Sequence, residues 1–175
     1  MFQSRIITAI LMISVAAFSR ILPHPPNFSP LLAVSLFSGA FLLDKRIAYV
    51  VPLLAMFVSD LYLGFHELIP VVYLSLLLFV YLGTKLSDSL TLKKSLGFTF
   101  VSSLFFFLVT NFAVWLTSGI YPLNGTGLIA CFTLALPFFQ NSLLGDLTYA
   151  GILFGSMVYL DKSVFSKEKP VFIKS

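Results

Sequence analysis

Cysteine is almost absent: one residue, Cys131, in 175 excludes an intramolecular disulfide and any site built from several cysteines. Charge is nearly as scarce. Charged residues make up 10% of the chain and apolar ones 58%, whereas a soluble domain carries about a quarter charged residues. No polar stretch is long enough to build a separate globular domain. No phosphate-binding glycine loop is present, so ATP-driven work would need another subunit. The net charge of +4 comes without the basic–aromatic surface that holds RNA or DNA, which excludes a nucleic-acid partner. What remains is an integral membrane protein whose partner is the lipid bilayer.

Six apolar runs are long enough to count as spans, at 1.5 Å per residue against ~30 Å of hydrocarbon. They cover about Arg5–Leu22, Ser29–Leu43, Ile47–Gly64, Leu68–Leu86, Leu96–Gly119 and Leu128–Leu160. The second is short. The last is too long for one perpendicular helix, and Pro137 is expected to break it. The first has a basic start but no small-residue cleavage site, which reads as a retained helix. Residues 1–160 form a single six-helix transmembrane domain, followed by the basic cytoplasmic tail 161–175. In this frame Arg5, Lys45, Arg46, Lys85, Lys93, Lys94, Lys162, Lys167, Lys169 and Lys174 share one side, and Arg20 alone lies on the other. Positive charge collects on the cytoplasmic face, so both termini are expected inside.

Between the first two spans lies Pro23-His24-Pro25-Pro26-Asn27-Phe28-Ser29-Pro30. Four prolines in eight residues forbid a helix there. Irregular backbone beside a bilayer must be covered by protein or face water, which makes the segment a rigid turn or a lid over a cavity. Polar groups inside apolar spans are costly and mark sites or helix–helix bonds. Asp60 and Asp146 are the intramembrane acids, and Arg20 is placed to pair with Asp60. Asn111, Gln140 and Asn141 are further polar candidates. Phe28, Trp115, Tyr121, Phe138 and Phe139 gather towards the outer ends, either around a ligand or in the interfacial aromatic belt. The substrate-binding set is therefore Arg20, Asn27, Phe28, Asp60, Asn111, Trp115, Gln140, Asn141 and Asp146. His24, His66 and Glu67 could in principle hold zinc, but their spacing is not diagnostic and no metal or cofactor is assigned.

A faint echo links Pro52…Ser59-Asp60-Leu61 with Pro137…Gly145-Asp146-Leu147, as an inverted repeat would. Small residues at Ser35-xxx-Gly39 and Gly151-xxx-Gly155 could seat a neighbouring helix or a second subunit.

Several motifs together, among them Pro23-His-Pro-Pro-Asn-Phe-Ser-Pro30, Ser59-Asp60-Leu61, Thr110-Asn111-Phe112, Pro137-Phe138-Phe139 and Gly145-Asp146-Leu147, resemble a family of uncharacterised small bacterial membrane proteins. That family is in turn similar, in size, helix count and topology, to the S components of energy-coupling factor transporters, which capture vitamins and related micronutrients. The resemblance implies an all-α bundle in the cytoplasmic membrane that binds a small solute and is not an enzyme. It also implies docking on a transmembrane coupling subunit with its ATPases. S components often seat that subunit on an Ala-xxx-Ala of the first helix. Here Ala9, Ser14, Ala16 and Ala17 give no clean Ala-xxx-Ala, which leaves a solitary carrier equally open. The same architecture resembles the rod-shape-determining D-type scaffolds, which need no ligand cavity. A rhomboid-type protease is excluded, since Ser38-Gly39 follows Leu36-Phe37 and neither histidine lies in a late span.

Overall fold

The computed structural model describes residues 2–23, 25–87 and 90–164. Six α-helices follow one another: α1 (Phe2–Phe18), α2 (Leu31–Phe41), α3 (Lys45–Leu63), α4 (Ile69–Leu86), α5 (Leu92–Thr117) and α6 (Gly125–Ser163). A 3-10 turn, Ser19–Ile21, ends the first. No strand occurs among the described residues. His24 and the basic residues beyond 164 lie outside them, as does the side chain of Arg5.

Local chemistry sets the helix starts. Asp44, Thr91 and Asn124 are extended and accept from the amides of Arg46, Lys94 and Gly127 at 2.8, 3.2 and 2.9 Å. Each satisfies one of the donors that a helix start leaves open. Pro70 opens α4, where its missing amide proton is no loss. The connections are short, so successive helices run antiparallel. Lys45, Arg46, Lys85, Lys93, Lys94 and Lys162 consequently share one end of the bundle.

The centre is α2. All eleven of its residues are buried, although it is only ~16 Å long. Phe37 and Phe41 pack with Phe154 of α6, ring centroids 5.3 and 5.8 Å apart. The Ser38 hydroxyl donates to the Ala48 carbonyl of α3 at 2.7 Å. Against α4 the backbones themselves touch. A Cβ on Gly39 would collide with the Val80 carbonyl, and one on Gly83 with the Leu36 carbonyl. The spacing Ser35-xxx-Gly39 thus serves a contact inside the bundle. Gly151 and Gly155 meet nothing within 4 Å.

The outer surface is apolar on nearly every helix. Leu11, Leu54, Leu74, Val101 and Ile152 are each more than half exposed. Four helices, α3 to α6, are long and apolar enough to cross a membrane, while α1 and α2 are shorter. These features are compatible with a membrane location.

One expectation is corrected. Pro137 does not break the last span: α6 is a continuous helix of 39 residues, ~58 Å long. A proline removes one backbone bond and crowds the preceding turn, and the packing of α5 along α6 outweighs that penalty. Phe107 of α5 meets Phe132 and Phe139 on either side of Pro137, at 5.6 and 4.6 Å.

Candidate functional site

The proline-rich segment folds inward. Asn27 has φ 63°, a left-handed value that asparagine tolerates better than most residues. The Phe28 amide donates to the Pro25 carbonyl at 3.0 Å, closing a tight turn. This turn presses on α6 where Gly145 leaves room: a Cβ there would stand 3.1 Å from Phe28 Cα and from the Ser29 nitrogen. The Phe28 ring packs on Tyr149 at 5.7 Å, and the Tyr149 hydroxyl shares a 2.8 Å hydrogen bond with Ser19. Gly145 lies near the middle of α6. Only the far end of the segment is held among the helices: Phe28 and Ser29 are half-buried and Pro30 buried, while Pro23, Pro25, Pro26 and Asn27 are exposed.

Beside it stands an ion pair. Arg20 Nη1 lies 2.8 Å from Asp60 Oδ1 and also donates to the Ser59 hydroxyl. The Tyr73 hydroxyl donates to Asp60 Oδ2 at 3.2 Å. The Asp60 side chain is 1% exposed and that of Arg20 15%. Both carboxylate oxygens are thus occupied, which offsets the desolvation of a buried charge. The pairing follows from helix geometry, since Arg20 and Asp60 sit at the same end of α1 and α3. Tyr73 was missed in the sequence, although the tight α3–α4 turn carries a residue one turn into α4 back to the level of Asp60.

These groups edge a cavity of about 370 Å³ between the proline-rich segment and helices α2 to α6. Its polar side carries Arg20, Asn27, Ser29, His66, Thr110, Ser142 and Asp146. Its apolar side is formed by Leu31, Leu32, Met56, Val72, Leu76, Phe79 and Phe106. A smaller space of about 200 Å³ adjoins it, sharing Asn27, Leu68, Phe106, Thr110 and Ser142. Pockets of a few hundred Å³ with mostly apolar walls and a few convergent polar groups are where small ligands bind.

The anticipated residues divide. Arg20, Asn27 and Asp146 line the main cavity, with Asp60 held behind Arg20. Phe28 lines neither space: its backbone packs on Gly145 and its ring on Tyr149, both of α6. Asn111 reaches only the smaller space, and its amide donates to the Phe107 carbonyl at 2.8 Å. It makes no bond to Asp146. Trp115 donates to the Pro122 carbonyl at 3.1 Å, pinning the α5–α6 connection away from the cavity. Gln140 is exposed and Asn141 half-buried, and neither lines the main cavity. Thr110 and Ser142, both cavity-lining, were not anticipated; in apolar helices hydroxyls mostly return to the preceding turn, as these two do, and so give little signal. Among the described residues no three of His, Cys, Asp and Glu gather as a metal site.

No curated protein and no solved structure matches the chain. Residues 1–169 match the model of a family of unknown function, DUF6580, and the chain belongs to that family.

Proposed function

We propose that this is a multi-pass protein of the bacterial cytoplasmic membrane, with both termini inside, that binds a small solute from the outer side and takes part in its uptake. The observation that carries the reading is the cavity of about 370 Å³, lined mostly by apolar side chains together with Arg20, Asn27 and Asp146. A scaffold of the rod-shape-determining D type has no need of such a space. All six helices then belong to the membrane domain, with α2 and the proline-rich segment together making one crossing. The S-component likeness would supply the solute class, a vitamin or similar micronutrient. The solitary form of that carrier is favoured, because Ala9 and Ala16 of the first helix are buried within the bundle and only Ser14 and part of Ala17 remain for a coupling subunit.

Thr110 tests the binding reading, because it lines both the main and the smaller space. Thr110→Phe should fill the cavity while leaving the helix intact. Native mass spectrometry of gently solubilised protein should show a retained small molecule, reduced about tenfold in the variant, equivalent to about 1.4 kcal/mol. Equal retention in the two proteins would rule out the cavity as the site.

Orientation has its own test, in a Cys131→Ala background. Cysteine at Leu123, 65% exposed in the α5–α6 connection, should react with an impermeant maleimide on intact cells. Cysteine at Lys93, in the first turn of α5, should react only after lysis. The opposite pattern would invert the orientation.

A further inference from the structure

We infer that the solute is an organic cation with an apolar body, an amine or protonated heteroaromatic base, and that Asp146 is its counter-charge. The inference rests on the solute-binding reading above and adds the charge of what is bound. Three charged or titratable groups line the cavity: Arg20, His66 and Asp146. The charge of Arg20 is met inside the protein by Asp60 at 2.8 Å. Asp60 is in turn saturated by Arg20, and by the Tyr73 hydroxyl on its second oxygen. That pair contributes no net charge to the cavity.

Asp146 differs. It is 6% exposed, it lines the cavity, and no lysine or arginine among the described residues forms an ion pair with it. The side chain facing it is the Ser103 hydroxyl of α5. Ser103 falls outside hydrogen-bond geometry and is itself buried without a hydrogen-bond partner. Tyr149, one turn further along α6, is turned away to Ser19. A buried carboxylate unmatched by a protein cation is costly, and the cost falls when a counter-ion enters its cavity. The same cavity is lined by the rings of Phe79 and Phe106 and by aliphatic side chains. Aromatic faces attract cations as well as apolar groups. Charge and lining together select a molecule with one positive centre on a hydrophobic frame, and they disfavour a carboxylate of the same shape.

The test uses three shape-matched probes: phenethylamine as the cation, 2-phenylethanol as the neutral form and 3-phenylpropionate as the anion. Full-length protein in nanodiscs is titrated with each, and the shift in unfolding temperature gives an apparent affinity. For the wild type, the amine should bind at least about tenfold more tightly than the alcohol, and the propionate least. Asp146→Asn should erase the preference for amine over alcohol, and Asp146→Glu should restore it. A propionate bound as tightly as the amine would overturn the charge assignment and leave solute binding standing. So would an amine preference that survives Asp146→Asn. If none of the three probes shifts unfolding, the charge assignment fails; if Thr110→Phe also leaves retained solute unchanged, the binding reading fails with it. Should Asp146→Asn not fold, the ranking of the three probes on the wild type decides alone.

Discussion

Gly39→Ala is expected to destabilise the protein by about 3 kcal/mol, at the upper end for overpacking a core. The added methyl would enter the space of the Val80 carbonyl, and no side-chain rotation can relieve a clash with backbone. Helices α2 and α4 would have to separate. Gly83→Ala meets the reciprocal obstacle at the Leu36 carbonyl, so it should cost a similar amount. Once the first substitution has parted the helices, the second finds room already made. The double variant should therefore lose clearly less than the sum of the two. Gly151→Ala serves as the control, because open space surrounds it; there, alanine should stabilise the helix slightly. Thermal unfolding in one detergent compares all four. Strict additivity of the first two would mean that they do not share a contact.

The second large effect concerns the buried ion pair. Arg20→Ala leaves Asp60 with one of its two partners gone and its side chain still 1% exposed. Removing one member of a buried pair typically costs about 3–5 kcal/mol, because the other charge is left uncompensated. Asp60→Asn keeps the shape and an acceptor for Tyr73, yet takes from the guanidinium its carboxylate, with Ser59 still beside it. Replacing both, as Arg20→Met with Asp60→Leu, should recover most of the loss, since no charge then remains unmatched. Unfolding free energies of the double variant and of its matching singles, Arg20→Met and Asp60→Leu, give the coupling. If the double variant is as unstable as the worse single one, the effect comes from packing and the ion pair is not its source.

Much of the frame could be read from residue order, because hydrophobic length and the placement of lysine obey strong, local rules. The gathering of the described basic residues at one end follows from such rules. So does the pairing of Arg20 with Asp60, two opposite charges at matching depth. The rest depended on what lies across a contact. Gly151-xxx-Gly155 has the spacing of a helix seat but faces open space, whereas Gly83, with no partner glycine in its own helix, is pressed against α2. Asn111 is a polar candidate by its place in an apolar span, yet a carbonyl four residues back on its own helix satisfies its amide first. Pro137 had the chemistry of a break, but the neighbouring α5 makes continuity cheaper. The faint echo between Asp60 and Asp146 holds in burial, since both are under 10% exposed. It fails in pairing, for only the first has a cation beside it.

The burial of α2 has a consequence for how the protein is made. It is enclosed above all by α4, with smaller shares from α3, α6, α1 and α5; of these only α1 is made before it. On leaving the ribosome α2 is too short to cross the bilayer alone, and the glycine seat that will hold it does not yet exist. Its packing is complete only once Phe154, which meets Phe37 and Phe41, has been made. Assembly is therefore a late rearrangement around a waiting segment, and not the stacking of finished helices in order. Chains ending before residue 150 should still enter the membrane through α3 to α5, but α2 in them should remain open to protease.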